Sequence, residues 1–339
     1  MKISNSYTIT SGMELWRNGC YFCDLQAEEV TITMNAAAAI KTSLSCFVQG
    51  DRQLNLQGGR LRPWQAVNGQ RFSMGEFIVS TPQWLDSWNR RGWQVEGYDQ
   101  GVILEQATTT GRYYLPAGGG YLAAVQQILM DNGIRRATVP PTTATLPTDR
   151  EWEPGVSWLS IVNTLLTEAG CQSLWFDREG VARLEPLALA GAAPNLRYAP
   201  DEYSILRDGI TYTTDTFNAY NVFTVAVSSP DCPPMVAVAV NDSPASAIST
   251  VNLGRRVCAP VRYVEAVAGQ QELADIAQGD MFKAMLGEET VTFETLPLPA
   301  HWYGDVVDLA GAAYRETGWD ITLGFDGSYR HTAAREVAR

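Results

Sequence analysis

The chain has 339 residues, of which 45% are hydrophobic and 18% are charged. A typical domain holds roughly 100–200 residues, so roughly two to four domains are expected, and the apolar content excludes wholesale disorder. The formal net charge of −12 disfavours a stable complex with nucleic acid, because an acidic surface repels phosphate.

Residues 1–105 are predicted to form a first β-barrel domain. Apolar and polar residues alternate over 30–34 and 44–48, the period of a half-buried strand, and 75–80 and 93–98 continue the pattern. The opening residues lack the apolar core of a signal peptide, and no stretch approaches the ~20 apolar residues of a membrane span. We therefore expect that the chain is synthesised in a cytoplasm, that its cysteines are reduced and that it does not insert into a membrane.

Residues 106–198 are predicted to form an inserted α+β domain. An apolar helical face begins at Tyr121, directly after three glycines, and a second helix begins at Ser157, a suitable N-cap residue, and ends before Gly170. A hairpin with a glycine-containing turn is expected over 173–185.

The remaining chain returns to strands. Residues 199–254 are predicted to form a β hairpin that returns to the first barrel, and 255–339 a helix plus a second β-barrel domain with a last turn at Asp326 and Gly327. The predicted fold class is mainly β with an α+β insertion: two small tube-like barrels plus a peripheral α+β domain.

No complete catalytic motif is present. The two histidines, His301 and His331, lack a G-x-S-x-G elbow or another nucleophile at recognisable spacing, so hydrogen-bonded structural roles are favoured. The three glycines at 118–120 lack the continuation of a phosphate loop and are interpreted as a permissive joint. Cys20 and Cys23 form one C-x-x-C without a second pair, which favours ordinary thiols over a metal site. We predict no catalytic residues, cofactor or metal.

Two clusters of aromatic and charged residues have the composition of binding sites. Trp152 lies among Asp149, Glu151 and Glu153, which could form a sugar-binding wall with paired carboxylates, although a polar loop with one aromatic anchor is favoured. A second cluster mixes aromatic and basic residues in the first β unit, a composition typical of protein interfaces and of single-strand nucleic-acid sites; the acidity favours interface or core. Its members are Trp64, Trp84, Trp88, Trp93, Arg60, Arg62, Arg90 and Arg91.

A series of short runs follows one order along the chain. The most distinctive run is DREWEPG at 149–155. The others are LRPW at 61–64, GEFIVSTP at 75–82, YYLPAG at 113–118, ATLP at 144–147, IVN at 161–163, LWFD at 174–177, ND at 241–242, PAS at 244–246, GDVV at 304–307 and ETGW at 316–319. Together, these runs resemble phage tail-tip and baseplate hub proteins, the minor tail proteins of siphophages and related hubs of contractile tails.

The resemblance implies a structural hub without enzymatic activity, located at the tail tip of a virion assembled in the host cytoplasm. Three copies would form a ring that continues the tail tube and adapts six-fold to three-fold symmetry. Its partners would be the distal tail or tail-tube ring, the tape-measure protein and a tail fibre or central spike, and genomic DNA would pass through without stable binding. Because the chain ends at Arg339, soon after its last predicted hairpin, no C-terminal lytic or fibre module is expected.

Two alternatives stay open. The first is a carbohydrate-binding or cell-wall-degrading tail-tip protein that uses the Trp152 loop, which requires a concave pocket with two opposed carboxylates. The second is an unrelated β-rich adhesin.

Overall fold

The computed structural model describes residues 8–142, 144–146, 148–186, 193–199, 205–217, 219–228, 234–244, 246–264, 270–286, 289–299, 301–324 and 327–335. Strands dominate these ranges, and helices are confined to a few segments. The prediction of a mainly β fold with an α+β section is confirmed.

The first part of the chain is all strand, as the alternation of apolar and polar residues predicts. The turn between the fifth and sixth strands lies at Asn68 and Gly69, whose φ angles of 51° and 81° are those that a tight hairpin turn requires. The strands are β1 (Ile9–Arg17), β2 (Cys20–Leu25), β3 (Ala27–Asn35), β4 (Thr42–Gln49), β5 (Arg60–Val67), β6 (Gln70–Ser73), β7 (Phe77–Val79), β8 (Gln83–Asp86) and β9 (Arg91–Tyr98).

A compact α+β section follows and has its own apolar core. The side chain of Ser157 accepts a hydrogen bond from the Ser160 amide, and Gly170 has a φ of 71°, so both predicted ends of the second long helix are confirmed. The elements are α1 (Gly101–Gln106), β10 (Tyr113–Leu115), α2 (Tyr121–Asp131), β11 (Ala137–Thr138), β12 (Arg150–Trp152), α3 (Trp158–Glu168), β13 (Trp175–Phe176) and β14 (Ala182–Arg183).

The last part of the chain contains nine strands and two helices within the described ranges. The predicted turn at Asp326 lies outside the described residues. The elements are β15 (Leu196–Tyr198), β16 (Thr211–Thr214), β17 (Val222–Val227), β18 (Val236–Val240), α4 (Thr250–Leu253), β19 (Arg262–Val264), α5 (Gln270–Leu286), β20 (Glu289–Thr295), β21 (Val306–Leu309), β22 (Ala312–Thr322) and β23 (Tyr329–Arg335).

Strands from both predicted barrels belong to one continuous sheet. Its main order is β16-β20-β23-β22-β3-β4-β9-β7-β5-β1-β2, and β6, β8, β15 and β21 attach along it. The junction is the antiparallel pair β22–β3, in which Trp319 lies opposite Met34. Buried side chains of the two units also share one apolar core, in which Trp319 and Tyr329 join Met13 and Phe77. The two β units are therefore joined by backbone hydrogen bonds and by a common core.

The hairpin predicted in 199–254 forms, but among the described residues its two strands do not pair with the first β unit. Its strands β17 and β18 pair with each other, and β17 also pairs in parallel with β19. Leu273 and Ala277 of α5 cover one face of this small sheet by packing on Val225 and Ala237. The hairpin packs on α5 because the apolar residues of α5 complete a local core. The alternation of residues within a strand does not reveal this packing partner.

Candidate functional site

Two histidines and one glutamate meet inside the sheet formed by the last strands. Glu316 lies on β22, His331 on β23, and His301 in the segment before β21. A bulge at Thr317 shifts the register of β22 against β23. Because of this extra residue, Glu316 and Trp319 both point inward although they are three positions apart and would face opposite sides of a regular strand. The bulge thus places a carboxylate in the core.

The three side chains form a tight, dry cluster, which we call the His–Glu cluster. His331 Nδ1 lies 2.7 Å and His301 Nδ1 lies 2.8 Å from the same Glu316 oxygen, Oε1. The outer nitrogen of His301, Nε2, contacts the Tyr198 hydroxyl, and that of His331 lies 3.1 Å from Thr295 Oγ1. All three cluster residues are 1% exposed or less.

The environment favours a charged Glu316 beside a neutral His331. Burial acts to raise the pKa of the Glu316 carboxyl, but His301 and His331 outweigh it, and the net shift is downward. Burial lowers the pKa of His331, although its hydrogen bond to Glu316 acts in the opposite direction. Because solvent does not reach the cluster, it has no open face on which to meet a substrate.

Sequence reasoning gives both histidines a hydrogen-bonded structural role, and the contacts are of that kind. It missed Glu316 as their common partner, and also Tyr198 and Thr295. The available signal was weak: Glu316 follows the alternation of an inward-facing strand, where a carboxylate is unexpected.

A second charged network holds the α+β section against the first β unit. The Glu76 side chain is 2% exposed and forms ion pairs with Arg60 and Arg62, which project from β5. Arg136 of the α+β section lies 3.3 Å from the same carboxylate and donates to the Glu179 carbonyl at 2.7 Å. One buried carboxylate thus bridges two parts of the chain.

The tip of the β13–β14 hairpin contacts both β units. The Arg178 carbonyl accepts from the Gly75 amide and the Ser73 hydroxyl of the first unit. The Arg178 guanidinium donates to the Pro299 carbonyl at 2.7 Å and to the His301 carbonyl at 3.3 Å, directly beside the His–Glu cluster. The hairpin that the sequence predicts is therefore a three-way joint.

The large sheet ends in two strands that each pair on one side among the described residues. These are β2 at one end and β16 at the other. Exposed aromatic side chains lie at both ends: Tyr21 and Phe22 on β2, and Tyr212 on β16 with Phe217 just beyond it. Open strand edges with exposed aromatic residues are surfaces on which another chain can add.

No protein-family model and no curated protein matches the sequence. Solved structures do match the fold. A tail protein from Neisseria meningitidis is 14% identical, with a TM-score of 0.69 over 96% of this chain and 97% of that one. The chain has the fold of bacteriophage tail proteins. A 43 kDa tail protein of prophage MuSo2 from Shewanella oneidensis has a TM-score of 0.66 at 12% identity, over 96% and 98% of the two chains.

The fold is also similar to that of a component of a type VI secretion system. A type VI secretion protein from E. coli, itself described as similar to the T4 tail proteins gp27 and gp5, has a TM-score of 0.54 at 9% identity, over 96% of this chain and 77% of that one. The resemblance predicted from short sequence runs is thus confirmed in the fold.

In this tail-protein fold, the tryptophans and arginines of the first β unit are divided between stacking contacts and open surface. Arg62 stacks on Trp16, and Arg71 stacks on Trp64. Trp84 and Trp93 make an edge contact at 5.2 Å, whereas Trp88 is fully exposed. The predicted cluster is therefore divided into separate contacts, with Trp88 at the open surface.

The Trp152 loop does not have an open aromatic wall. The Trp152 ring is half-buried and packs on Tyr113 at 5.8 Å. Arg112 pairs with Glu151 at 3.0 Å and with Glu153 at 3.3 Å. Hydrogen bonds from the Ala117 amide and Tyr114 lower the pKa of Asp149. Each of the three carboxylates of the loop is thus engaged by a neighbouring donor.

The remaining sequence candidates lie apart from the His–Glu cluster. Cys20 is exposed and Cys23 is half-buried, both on the end strand β2. Gly118 has a φ of 82°, and Gly120 is the N-cap of α2, which agrees with the predicted permissive joint. Among the described residues, no helix is long and apolar enough to cross a membrane.

Proposed function

We propose that this protein is the structural hub of a phage tail tip, in which three copies form a ring that continues the tail tube and adapts six-fold to three-fold symmetry. The observation that carries the proposal is the tail-protein fold, which extends over almost the whole chain. On this proposal the protein is not an enzyme and is located at the tail tip of the virion after assembly in the host cytoplasm.

The open ends of the large sheet support a ring. β2 and β16 are different surfaces of one subunit, so pairing β2 of one copy with β16 of the next is a head-to-tail contact. Head-to-tail contacts close into rings when the rotation allows it. Such closure would also cover both strand edges and the aromatic residues beside them.

The acidic charge supports passage of DNA through the ring. A subunit with a net charge of −12 repels phosphate, so the genome would slide along the lumen without a stable complex. The proposed partners are the distal tail or tail-tube ring, the tape-measure protein and a tail fibre or central spike.

Native mass spectrometry of the purified protein and of disrupted virions tests the ring. We expect a trimer, and Phe22→Asp or Tyr212→Asp should release folded monomers because each places a charge at one end of the sheet. Trp88→Asp is the matched control, since Trp88 is equally aromatic and fully exposed but lies on neither end strand. Monomers of the wild-type protein even from virions would refute the ring.

The alternative that uses the Trp152 loop is weakened by its geometry, because Trp152 packs on Tyr113 and Arg112 forms ion pairs with the two flanking glutamates. A Glu151→Gln, Glu153→Gln double variant separates the two functions. The hub predicts unchanged assembly and infectivity, whereas loss of cell-wall hydrolysis or sugar binding with assembly intact would establish the alternative.

A further inference from the structure

The His–Glu cluster contains the donor atoms of a transition-metal site. One ligand atom each from His301, Glu316 and His331 can be chosen so that all lie within 4.8 Å of one another. Imidazole nitrogen and carboxylate oxygen are ordinary ligands of zinc, whereas calcium and magnesium prefer oxygen alone. The three residues come from separate segments of the chain, so a bound ion would cross-link β22, β23 and the segment before β21.

Two buried atoms of the cluster lack a hydrogen bond among the described residues. They are Glu316 Oε2 and His301 Nδ1; the latter faces Glu316 Oε1 at 2.8 Å without hydrogen-bond geometry. Buried polar atoms in folded proteins nearly always have a hydrogen-bond partner, and a buried atom without one is destabilising. A cation between the imidazoles and the carboxylate would satisfy both atoms at once.

The outer ring nitrogens of both histidines have hydroxyl neighbours, as the histidines of a metal site commonly require. A metal-bound histidine usually donates its other ring N–H to a fixed acceptor. Here Tyr198 contacts His301 Nε2, and Thr295 lies 3.1 Å from His331 Nε2; hydroxyl groups can accept as well as donate. When Nδ1 of each imidazole binds the ion, the ring N–H would lie on Nε2 and face the hydroxyl group.

We propose that His301, Glu316 and His331 bind a divalent transition-metal ion of the zinc class, with Glu316 Oε2 as a second carboxylate donor. The ion is structural, because the site is closed to solvent. This metal site goes beyond the proposed hub function and does not depend on that function. With metal–ligand bonds of about 2.0–2.2 Å, an imidazole nitrogen lies about 3.3 Å from a carboxylate oxygen bound to the same ion, so the imidazoles move back from the carboxylate by about half an ångström on binding.

Metal content after refolding tests the site. For this test, Cys20→Ser and Cys23→Ser are introduced to remove the C-x-x-C as a competing ligand pair. The variant is refolded with zinc chloride and desalted, and its zinc content is measured by elemental mass spectrometry. We expect close to one zinc ion per chain and a melting temperature that falls when a chelator is present during refolding. Glu316→Gln should abolish both effects. Glu294→Gln, on the same sheet but in an exposed pair with Arg330, should keep them.

Zinc-edge X-ray absorption on the same refolded protein covers the case in which Glu316→Gln does not fold. Two imidazole ligands with oxygen and no sulfur in the first shell support the site. The proposal is overturned by a protein that retains no zinc, by zinc that Glu316→Gln retains equally, or by a first shell that contains sulfur or lacks imidazole.

Discussion

At the scale of single residues, Glu76 carries the clearest energetic role. Its carboxylate is almost fully buried, and it forms ion pairs with Arg60 and Arg62 of one part of the chain and with Arg136 of another. Removing one partner of a buried ion pair leaves the other charges uncompensated, which costs more than the pair itself contributes. The residue is therefore a test of how firmly the α+β section is held.

Glu76→Gln should lower the free energy of unfolding by about 2–4 kcal/mol, at or below the usual cost of breaking a buried pair because the three arginines are partly exposed. Urea denaturation measures the change. Glu294→Gln breaks a more exposed pair and should cost less than about 1 kcal/mol. Equal losses in the two variants would contradict the role of Glu76.

The contacts of Glu14 predict that the stability of the folded protein depends on pH. Burial acts to raise the pKa of its carboxyl, but hydrogen bonds from Trp16 and Arg71 outweigh burial and lower it below the ordinary 4.5. The unfolded chain therefore takes up the proton first as the pH falls, so this stabilisation is complete above pH 4.5 and is lost as the pH falls through the lowered folded pKa. Glu14→Gln should cost less than about 1 kcal/mol at neutral pH. The difference from wild type, followed by urea denaturation, should vanish in acid; a constant difference would contradict the assignment.

At the scale of elements, the β13–β14 hairpin acts through its tip. Its strands are only two residues long, yet Arg178 at the turn donates to the carbonyls of Pro299 and His301, which are distant in sequence. The Trp302 indole donates to the Phe176 carbonyl at 3.1 Å and so reinforces the same junction. A short hairpin is marginal alone, so its order depends on these contacts.

Arg178→Ala should increase amide hydrogen exchange in β13, β14 and 301–305, because it removes the guanidinium contacts to Pro299 and His301. The pair β3–β4, whose neighbours in the sheet are β22 and β9, should exchange at the wild-type rate. Arg178→Lys retains one donor group and should show a smaller effect. Uniform acceleration throughout the chain would instead indicate global destabilisation.

At the scale of the whole molecule, the two predicted barrels are joined by the β22–β3 pair and by a shared core. Trp319 belongs to that core, lies opposite Met34 and contacts Trp302 at 5.4 Å. Backbone pairing and side-chain packing across one boundary make it unfavourable for either unit to unfold alone.

Trp319→Ala should cost about 3–5 kcal/mol, the usual loss for truncating a large buried aromatic residue, and should accelerate exchange in β3 and β4 as well as in β22 and β23. Trp319→Phe keeps much of the volume and should cost less. Calorimetry together with hydrogen exchange measures both effects. Acceleration confined to β22 and β23 would show that the two units unfold independently, as separate barrel domains would.

The local elements could be predicted because their signals lie in neighbouring residues. The alternation around residues 44–48, the apolar face that begins at Tyr121, the cap at Ser157 and the turn at Asn68 all predicted elements that the structure contains. The net charge and the composition belong to the chain itself and likewise require no fold. Short runs in order along the chain also predicted the tail-protein fold.

Contacts between distant residues required the tertiary structure. The partner of the β17–β18 hairpin depends on α5, the union of the two β units depends on β22 meeting β3, and the His–Glu cluster depends on a bulge at Thr317. In each case the residues are far apart in sequence or their direction is changed by one unpaired residue, and strand periodicity carries no information about either. The sequence by itself thus determined the kinds of element and the acidic surface, whereas long-range packing alone decided which strands pair and which three side chains could hold a metal.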